Sequence, residues 1–361
     1  MASGVSGRLD SGARSIPQIH LMVRENMGEQ KENRGRGWSW IFSVLLAAAL
    51  MYFAVRGVEW RRVWEAITHV EWTLVAAGAL LSCGSFFLRA LRWRILLNAE
   101  GRFSVGTVFS ANMAGYLGNN FLPARAGELV RSWIISSQSS LSKPYVLTTA
   151  LAERMVDAVV LVAWGSVVLL GIHPKPAWLA SVSWTTAIIA AVGVLSIAVV
   201  PHTGNLCESI LQRVPMPAGL RERLLHLMTQ ILAGLRVFHD VGRLGRFAVM
   251  TILIWSMDTT VVIAVGKAFD LHMTVQMASL LLCGLGLGSA VAPTPGYVGT
   301  FQSVTVTVLG PFGVPRDAAL AFALVSQATG YVLVVALGLP AILRYRGRAE
   351  KDASADAVVR S

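Results

Sequence analysis

Charge is what this chain has least of. Only 14% of its 361 residues are Asp, Glu, Lys or Arg, against about 25% in a typical soluble domain. None of these four occurs between Leu271 and Pro315. Cysteine is nearly absent: Cys83 and Cys283 lie inside apolar blocks, Cys207 lies near the end of one, and no CxxC or zinc-ligand spacing occurs. That excludes a disulfide framework and a zinc module. His173, His202, His226, His239 and His272 are scattered without metal-ligand spacing. There is no Walker motif, no GxSxG and no dinucleotide fingerprint in a strand context, which excludes the common ATPase and hydrolase designs. No catalytic residue, metal or cofactor is therefore expected. A secretory signal is missing too, because the first apolar block starts near Trp38, behind a polar tail and without a small-residue cleavage site.

What the chain has instead is apolar sequence in long blocks. Apolar residues make up 54%, and the mean hydropathy is +0.59. The few charges lean basic, with a formal net charge of +11. Nucleic-acid binding would want a soluble basic face, whereas here most arginines flank apolar blocks, the pattern of cytoplasmic membrane loops. About 20 apolar residues cross a bilayer. On that length criterion residues 38–55, 72–91, 146–171, 177–200, 247–269 and 318–343 are spans. Residues 104–122 are apolar but rich in Gly and Asn, and they break at Pro123. The block from Leu271 to Pro315 is too long for one helix and breaks at Pro293, Pro295 and Gly296.

The organisation expected is a disordered cytoplasmic tail over 1–37, a membrane domain over 38–345 and a cytoplasmic tail over 346–361. Within the domain, residues 202–246 carry Leu220, Leu224, Leu227, Ile231 and Leu235 at helical spacing, a basic amphipathic segment suited to the inner leaflet. The tail, the 89–102 loop, the 202–246 segment and the C-terminal run are all basic, which places both termini in the cytoplasm of a multi-pass plasma-membrane protein. All four can face that side only if residues 104–131 do not cross fully, so this segment and the one around Pro293 are expected to be re-entrant. Arg56, Arg61 and Arg62 then lie outside, against the trend. The fold class is all-α: a polytopic helical bundle with two broken re-entrant segments.

Charged residues inside spans are costly, roughly 2.5–3.5 kcal/mol each at mid-depth, and usually face an interior or a wet cavity. Three clusters stand out. The first runs through Asn119-Asn120-Phe121-Leu122-Pro123-Ala124-Arg125-Ala126-Gly127-Glu128-Leu129-Val130-Arg131. Pro123 removes a backbone donor and Gly127 permits unusual dihedrals, so the helix breaks here. Arg125 offers a planar fork suited to phosphate, and Glu128 stands three residues from both Arg125 and Arg131. The second is Glu153-Arg154-Met155-Val156-Asp157, whose two carboxylates share one helix face. It reads as an internal ion pair holding helices together, as a cation site or as a polar lining for a lipid headgroup. The third is Pro293-Thr294-Pro295-Gly296-Tyr297-Val298-Gly299-Thr300-Phe301-Gln302. A helix starting there would aim its free N–H groups inward; a tight turn between two short spans is the plainer reading. Asp258 reads as a capped or paired polar residue. Pro123-xxx-Gly127 and Pro295-xxx-Gly299 form a short internal similarity, the pointer to an inverted-repeat transporter site.

Arg89-Ala90-Leu91-Arg92-Trp93-Arg94-Ile95-Leu96-Leu97, the Pro123–Arg131 run, Glu153–Asp157 and Pro293–Gln302 together resemble the membrane region of the lysylphosphatidylglycerol synthase/flippase proteins, over roughly residues 38–345. The resemblance implies a lipid-handling membrane domain with two re-entrant elements. It implies transbilayer movement of a phospholipid or lipid-linked substrate; in that mechanism Arg125 and Arg131 are expected to hold the phosphate, and Glu128, Glu153 and Asp157 to balance charge or meet a cationic headgroup, with Arg92 at the same site. The partner implied is a membrane lipid, either an anionic phospholipid or a polyprenyl-phosphate-linked substrate, and no nucleic acid. Two rivals are a non-catalytic partner of a separate lipid-modifying synthase and a membrane glycosyl or aminoacyl transferase acting on a lipid carrier. The chain ends at Ser361 without the aminoacyl-transferase domain of the bifunctional members, so synthesis of an aminoacyl lipid by that route is not expected. Gln302 stands where many members have Glu, which bears on recognition of a cationic headgroup.

Overall fold

A computed structural model of the chain describes residues 44–122, 126–170, 240–291 and 294–360, with isolated positions between 188 and 229. The expected tail 1–37, the span 177–200 and most of the amphipathic segment 202–246 lie outside the described residues, as do Pro123, Arg125 and Pro293. All regular structure among the described residues is helical. Helix α1 covers Val44–Val55 and α2 covers Trp60–Thr68. The next four are α3 (Trp72–Leu97), α4 (Val105–Phe121), α5 (Gly127–Ser137) and α6 (Lys143–Leu170). After the undescribed stretch come α7 (Val241–Ala268), α8 (Val275–Val291), α9 (Thr300–Leu309) and α10 (Arg316–Arg360).

Three of these, α3, α7 and the Arg316–Tyr345 part of α10, are long and apolar enough to cross a membrane. Helix α6 has 28 residues, but it carries the Glu153–Asp157 cluster in its middle. Large apolar side chains such as Leu80, Ile252 and Val332 are more than half exposed, as expected of helices whose outer face meets lipid rather than water. Helices α3 and α7 form the central antiparallel pair. Gly78 of α3 lets Val265 of α7 approach, and Gly84 lets Met257 approach. The backbone N–H of Glu71, just before α3, donates to the carbonyl of Ala268 at the end of α7, 3.0 Å away. At the other end, Asp240 caps α7 by accepting the backbone N–H of Arg243 at 3.0 Å, and this bond holds its carboxyl below the usual carboxylate range.

One expectation needs correction. The basic loop expected over 89–102 is helical as far as Leu97, with Arg92 buried and the Arg89 side chain only 13% exposed. From sequence alone, an arginine that ends an apolar block looks the same whether it meets water or a carboxylate inside the bundle. Beyond residue 345, where the expected C-terminal tail begins, α10 continues through to Arg360. Arg61 and Arg62, the arginines that opposed the charge trend, lie on α2 in exposed ion pairs with Glu65 and Glu59.

The two broken segments both fold as hairpins. Going down α4 from Gly118 to Asn112 means going up α5 from Gly127 to Arg131, since Gly118 and Gly115 abut Gly127 and Arg131 reaches Asn112. The second pair repeats this: Gly288 abuts Thr300 and Val304, and Gly284 abuts Val304 and Val308. Each hairpin has a first helix of 17 residues, about 25 Å at 1.5 Å per residue, and a shorter return helix. They enter from opposite ends. Hairpin one starts beyond the C-terminus of α3, whereas hairpin two starts beyond the C-terminus of α7, which is the end where α3 begins.

Candidate functional site: a charge-balanced network beside two hairpin tips

The site begins with residue spacing. Arg89 and Arg92 are one helical turn apart on α3, Glu153 and Asp157 one turn apart on α6, and Thr251 and Asp258 two turns apart on α7. Packing α3 between α6 and α7 brings these faces together. Arg92 donates from Nε and Nη2 to Glu153 Oε1 (3.2 and 2.8 Å), from Nη1 and Nη2 to Asp157 (2.6 and 2.8 Å) and from Nη1 to the Thr251 hydroxyl (3.1 Å). Every donor of its fork is thereby used. Arg131 on α5 donates to the other oxygen of Glu153 (2.9 Å), to Asn112 Oδ1 (2.9 Å) and to the Ala150 carbonyl (3.1 Å). Arg89 and the Ser85 hydroxyl both reach Asp258 at 2.5 Å. Arg154 donates from Nε to Glu128 at 3.1 Å.

The result is one connected set of four arginines and four carboxylates. Its net charge is zero, and each guanidinium also faces an aromatic ring: Arg131 on Trp93, Arg92 on Phe247, Arg89 on Trp255 and Arg154 on Tyr116, at 4.6–5.7 Å from the ring centres. Buried charge is tolerated when it is paired and hydrogen-bonded; here each carboxylate is paired with an arginine, while Arg131 Nε and Asn112 Nδ2 are buried without a hydrogen-bond partner among the described residues. The side chains of Arg92, Glu153 and Arg131 are 0–2% exposed, whereas Arg154 is 30% and Glu128 13% exposed. The network is thus sealed at Arg92 and open at Arg154.

The hairpin tips meet beside it. Asn119 on α4 accepts the Gly127 N–H that opens α5, at 2.9 Å, and its amide nitrogen lies 3.4 Å from Glu128. In hairpin two the chain turns through a short 3-10 segment, Pro295–Tyr297, where Gly296 and Tyr297 both have positive φ. Such a conformation costs a tyrosine about 1–2 kcal/mol, so the surroundings must hold it. Tyr331 and Gln327, one turn apart on α10, both donate to the Gly296 carbonyl, the latter at 2.9 Å. Gln302 accepts the Gly299 N–H at 2.9 Å and donates to Gln327 at 2.5 Å. Gly296 lies against the Asn120 carbonyl at the end of α4, so close that a Cβ there would stand 3.4 Å from it.

Of the residues singled out from the sequence, Arg92, Gly127, Glu128, Arg131, Glu153, Arg154 and Asp157 come together around the network. Asn120, Pro295, Gly296, Gly299 and Gln302 come together at the contact between the tips. Asp258 is paired, as read. Asn119 comes from the first cluster read in sequence, whereas Arg89, Ser85, Asn112, Thr251, Gln327 and Tyr331 were missed as site residues. The spacing of Asn112 and Asn119, two turns apart on one face of α4, was the signal available for Asn112.

An all-α bundle with apolar outer faces, an internal charge network and two opposed broken hairpins defines a class: polytopic integral membrane proteins whose polar interior serves something other than water solubility. Residues 40–338 match the family described as the lysylphosphatidylglycerol synthase TM region, and the chain belongs to that family. It is similar to a UPF0104 membrane protein of Methanothermobacter thermautotrophicus, with 24% identity over 84% of this chain and 91% of the relative. It is also similar to the glycosyltransferase AglD of Haloferax volcanii, with 26% identity over 83% of this chain and 53% of the relative, so it spans about half of that protein's length.

Proposed function

We propose that the protein moves a phosphate-bearing lipid, or a substrate linked to such a lipid, between the leaflets of the plasma membrane. The observation that carries this reading is the pair of hairpins entering from opposite ends and touching at their tips beside a polar network. Two short elements, each reaching in from one side, allow a headgroup to be admitted from one face while the other stays closed. The buried part of the network (Arg92, Arg131, Glu153, Asp157) fixes the geometry of α3, α5 and α6. Its exposed edge, with Arg154 and Glu128, meets the headgroup together with Arg125, three residues before Glu128 in sequence, while the tails remain in lipid. Asn120, Pro123, Gly127, Pro293, Pro295, Gly296, Gly299 and Gln302 shape the two breaks that move. Both termini are cytoplasmic in this scheme.

The test is transfer of a fluorescent phospholipid in proteoliposomes by wild type and Arg125→Ala. Transfer by wild type that is lost in the folded variant supports the reading; equal transfer by both, or none by either, removes it. Similarity to half of a protein named a glycosyltransferase favours one second reading. Here the chain is the membrane partner of a separate enzyme that modifies a lipid-linked sugar. Co-purification of such an enzyme with a chain inactive in transfer would establish that instead, and turnover of a sugar donor by the purified chain alone would make it the transferase.

A further inference from the structure

The four arginines of the network are not equivalent. Arg92 uses all its fork, Arg131 is bonded to three groups, and Arg89 makes one hydrogen bond, from Nη2 to Asp258, with a side chain only 13% exposed. Arg154 makes a single hydrogen bond, through Nε. Its terminal nitrogens have no hydrogen-bond partner among the described residues; the Asp157 carboxylate stands 3.9 Å from Nη1. Arg154 is also the most exposed of the four. A guanidinium presents a planar fork that binds an oxyanion through two parallel bonds, and here the outer side of that fork is unspent. The group that faces it, Glu128, uses one oxygen for both Arg154 and Asn119.

Resting on the lipid-moving function above, we propose that Arg154 is the contact for the phosphate ester of the substrate, and that Glu128 occupies this position in the present structure as an internal stand-in. Arrival of the phosphate displaces Glu128 from Arg154. Glu128 sits in the first turn of α5, one residue past Gly127, so its release frees that turn of α5 from α6. Asn119 still caps α5 and Arg131 still anchors the helix to Glu153. Substrate binding and release of the first turn of α5 from Arg154 are then the same event.

The experiment measures binding of dioleoyl phosphatidic acid, diacylglycerol and inorganic phosphate to the full-length chain in detergent, with thermal unfolding recorded in parallel. Glu128→Gln removes the competing charge but keeps the contact to Asn119. It should tighten binding of phosphatidic acid roughly two- to tenfold, the reach of a partly exposed ion pair. Arg154→Gln should abolish it. If Arg154→Gln is unstable, the double variant Glu128→Gln/Arg154→Gln restores charge balance and should be folded and without affinity. Diacylglycerol should not bind in any form. Weaker or unchanged binding in Glu128→Gln overturns the stand-in role, while the lipid-moving function survives if wild type still binds and transfers. Equal response to inorganic phosphate reassigns Arg154 to a free anion and overturns the lipid assignment. Absence of phosphatidic acid binding to wild type defeats both.

Discussion

The two hairpins solve one packing problem with two chemistries. Each has a 17-residue helix, a break and a return helix of 11 or 10 residues. In each, glycines on the first helix admit the second, and a side-chain amide oxygen takes the N–H of the glycine at the start of the return helix. Beyond that they part. Hairpin one carries Glu128 and Arg131 and is wired by ion pairs to α6. Hairpin two contains no charged residue, and its tip is held by Gln302, Gln327 and Tyr331. Since the neutral version closes as tightly, charge is not needed to make the hairpin. In hairpin one it links the element to its neighbours, through bonds that another ion can replace.

The comparison breaks first at Arg92. Arg92→Ala strands Asp157 and half of Glu153 inside the bundle and should cost about 3–5 kcal/mol, read as loss of a folded species in detergent. No substitution in the neutral cluster should approach that; an equal loss from Gln302→Ala would erase the distinction. Next comes steric fit. A Cβ at Gly127 would overlap the Gly115 carbonyl and the Asn119 amide, whereas one at Gly288 would crowd Val304 Cγ2 at 2.8 Å and touch Thr300 Cγ2 at 3.5 Å. Gly127→Ala should therefore destabilise by roughly 1–3 kcal/mol and Gly288→Ala by less, because a valine methyl yields where a carbonyl does not; thermal unfolding of the two compares them directly. Third, the shared cap: Asn119→Ala and Gln302→Ala should each cost about 1–2 kcal/mol. The second should be the larger, because it also leaves Gln327 without its donor. A cap effect confined to one hairpin would end the parallel. Smallest is Gly106→Ala in α4, where nothing lies within 4 Å; a gain of about 0.5 kcal/mol in unfolding free energy is expected from helix propensity alone.

The helices were legible because apolar length is a local property. The starts and ends of α3, α6, α7 and the apolar Arg316–Tyr345 part of α10 fall within about two turns of the blocks read from sequence, and α4 and α8 end just before the Pro/Gly-rich stretches expected to break them. The network was half legible. Glu153, Arg154 and Asp157 announce themselves by being costly where they stand. Arg89 does not, because its partner Asp258 is 169 residues away and an arginine at the edge of a span already has a satisfactory explanation. The same ambiguity affected the charge-based orientation argument, which counted two arginines that never leave the bundle. Tyr331 and Gln327 carried no signal at all, for a tyrosine and a glutamine one turn apart in a long helix become clamps only when a strained turn lies opposite.

The last two carbonyls of α1 left without a helical partner, Phe53 and Ala54, are both taken by the guanidinium of Arg316, and the Leu50 carbonyl by the Ser303 hydroxyl at 2.5 Å. These donors lie 253–263 residues further along the chain. At synthesis rates of about 5–20 residues per second, the first helix waits on the order of 10 to 50 s for the groups that complete it. An early helix is thus among the later ones to be finished, and its final seating waits until Arg316 has been made.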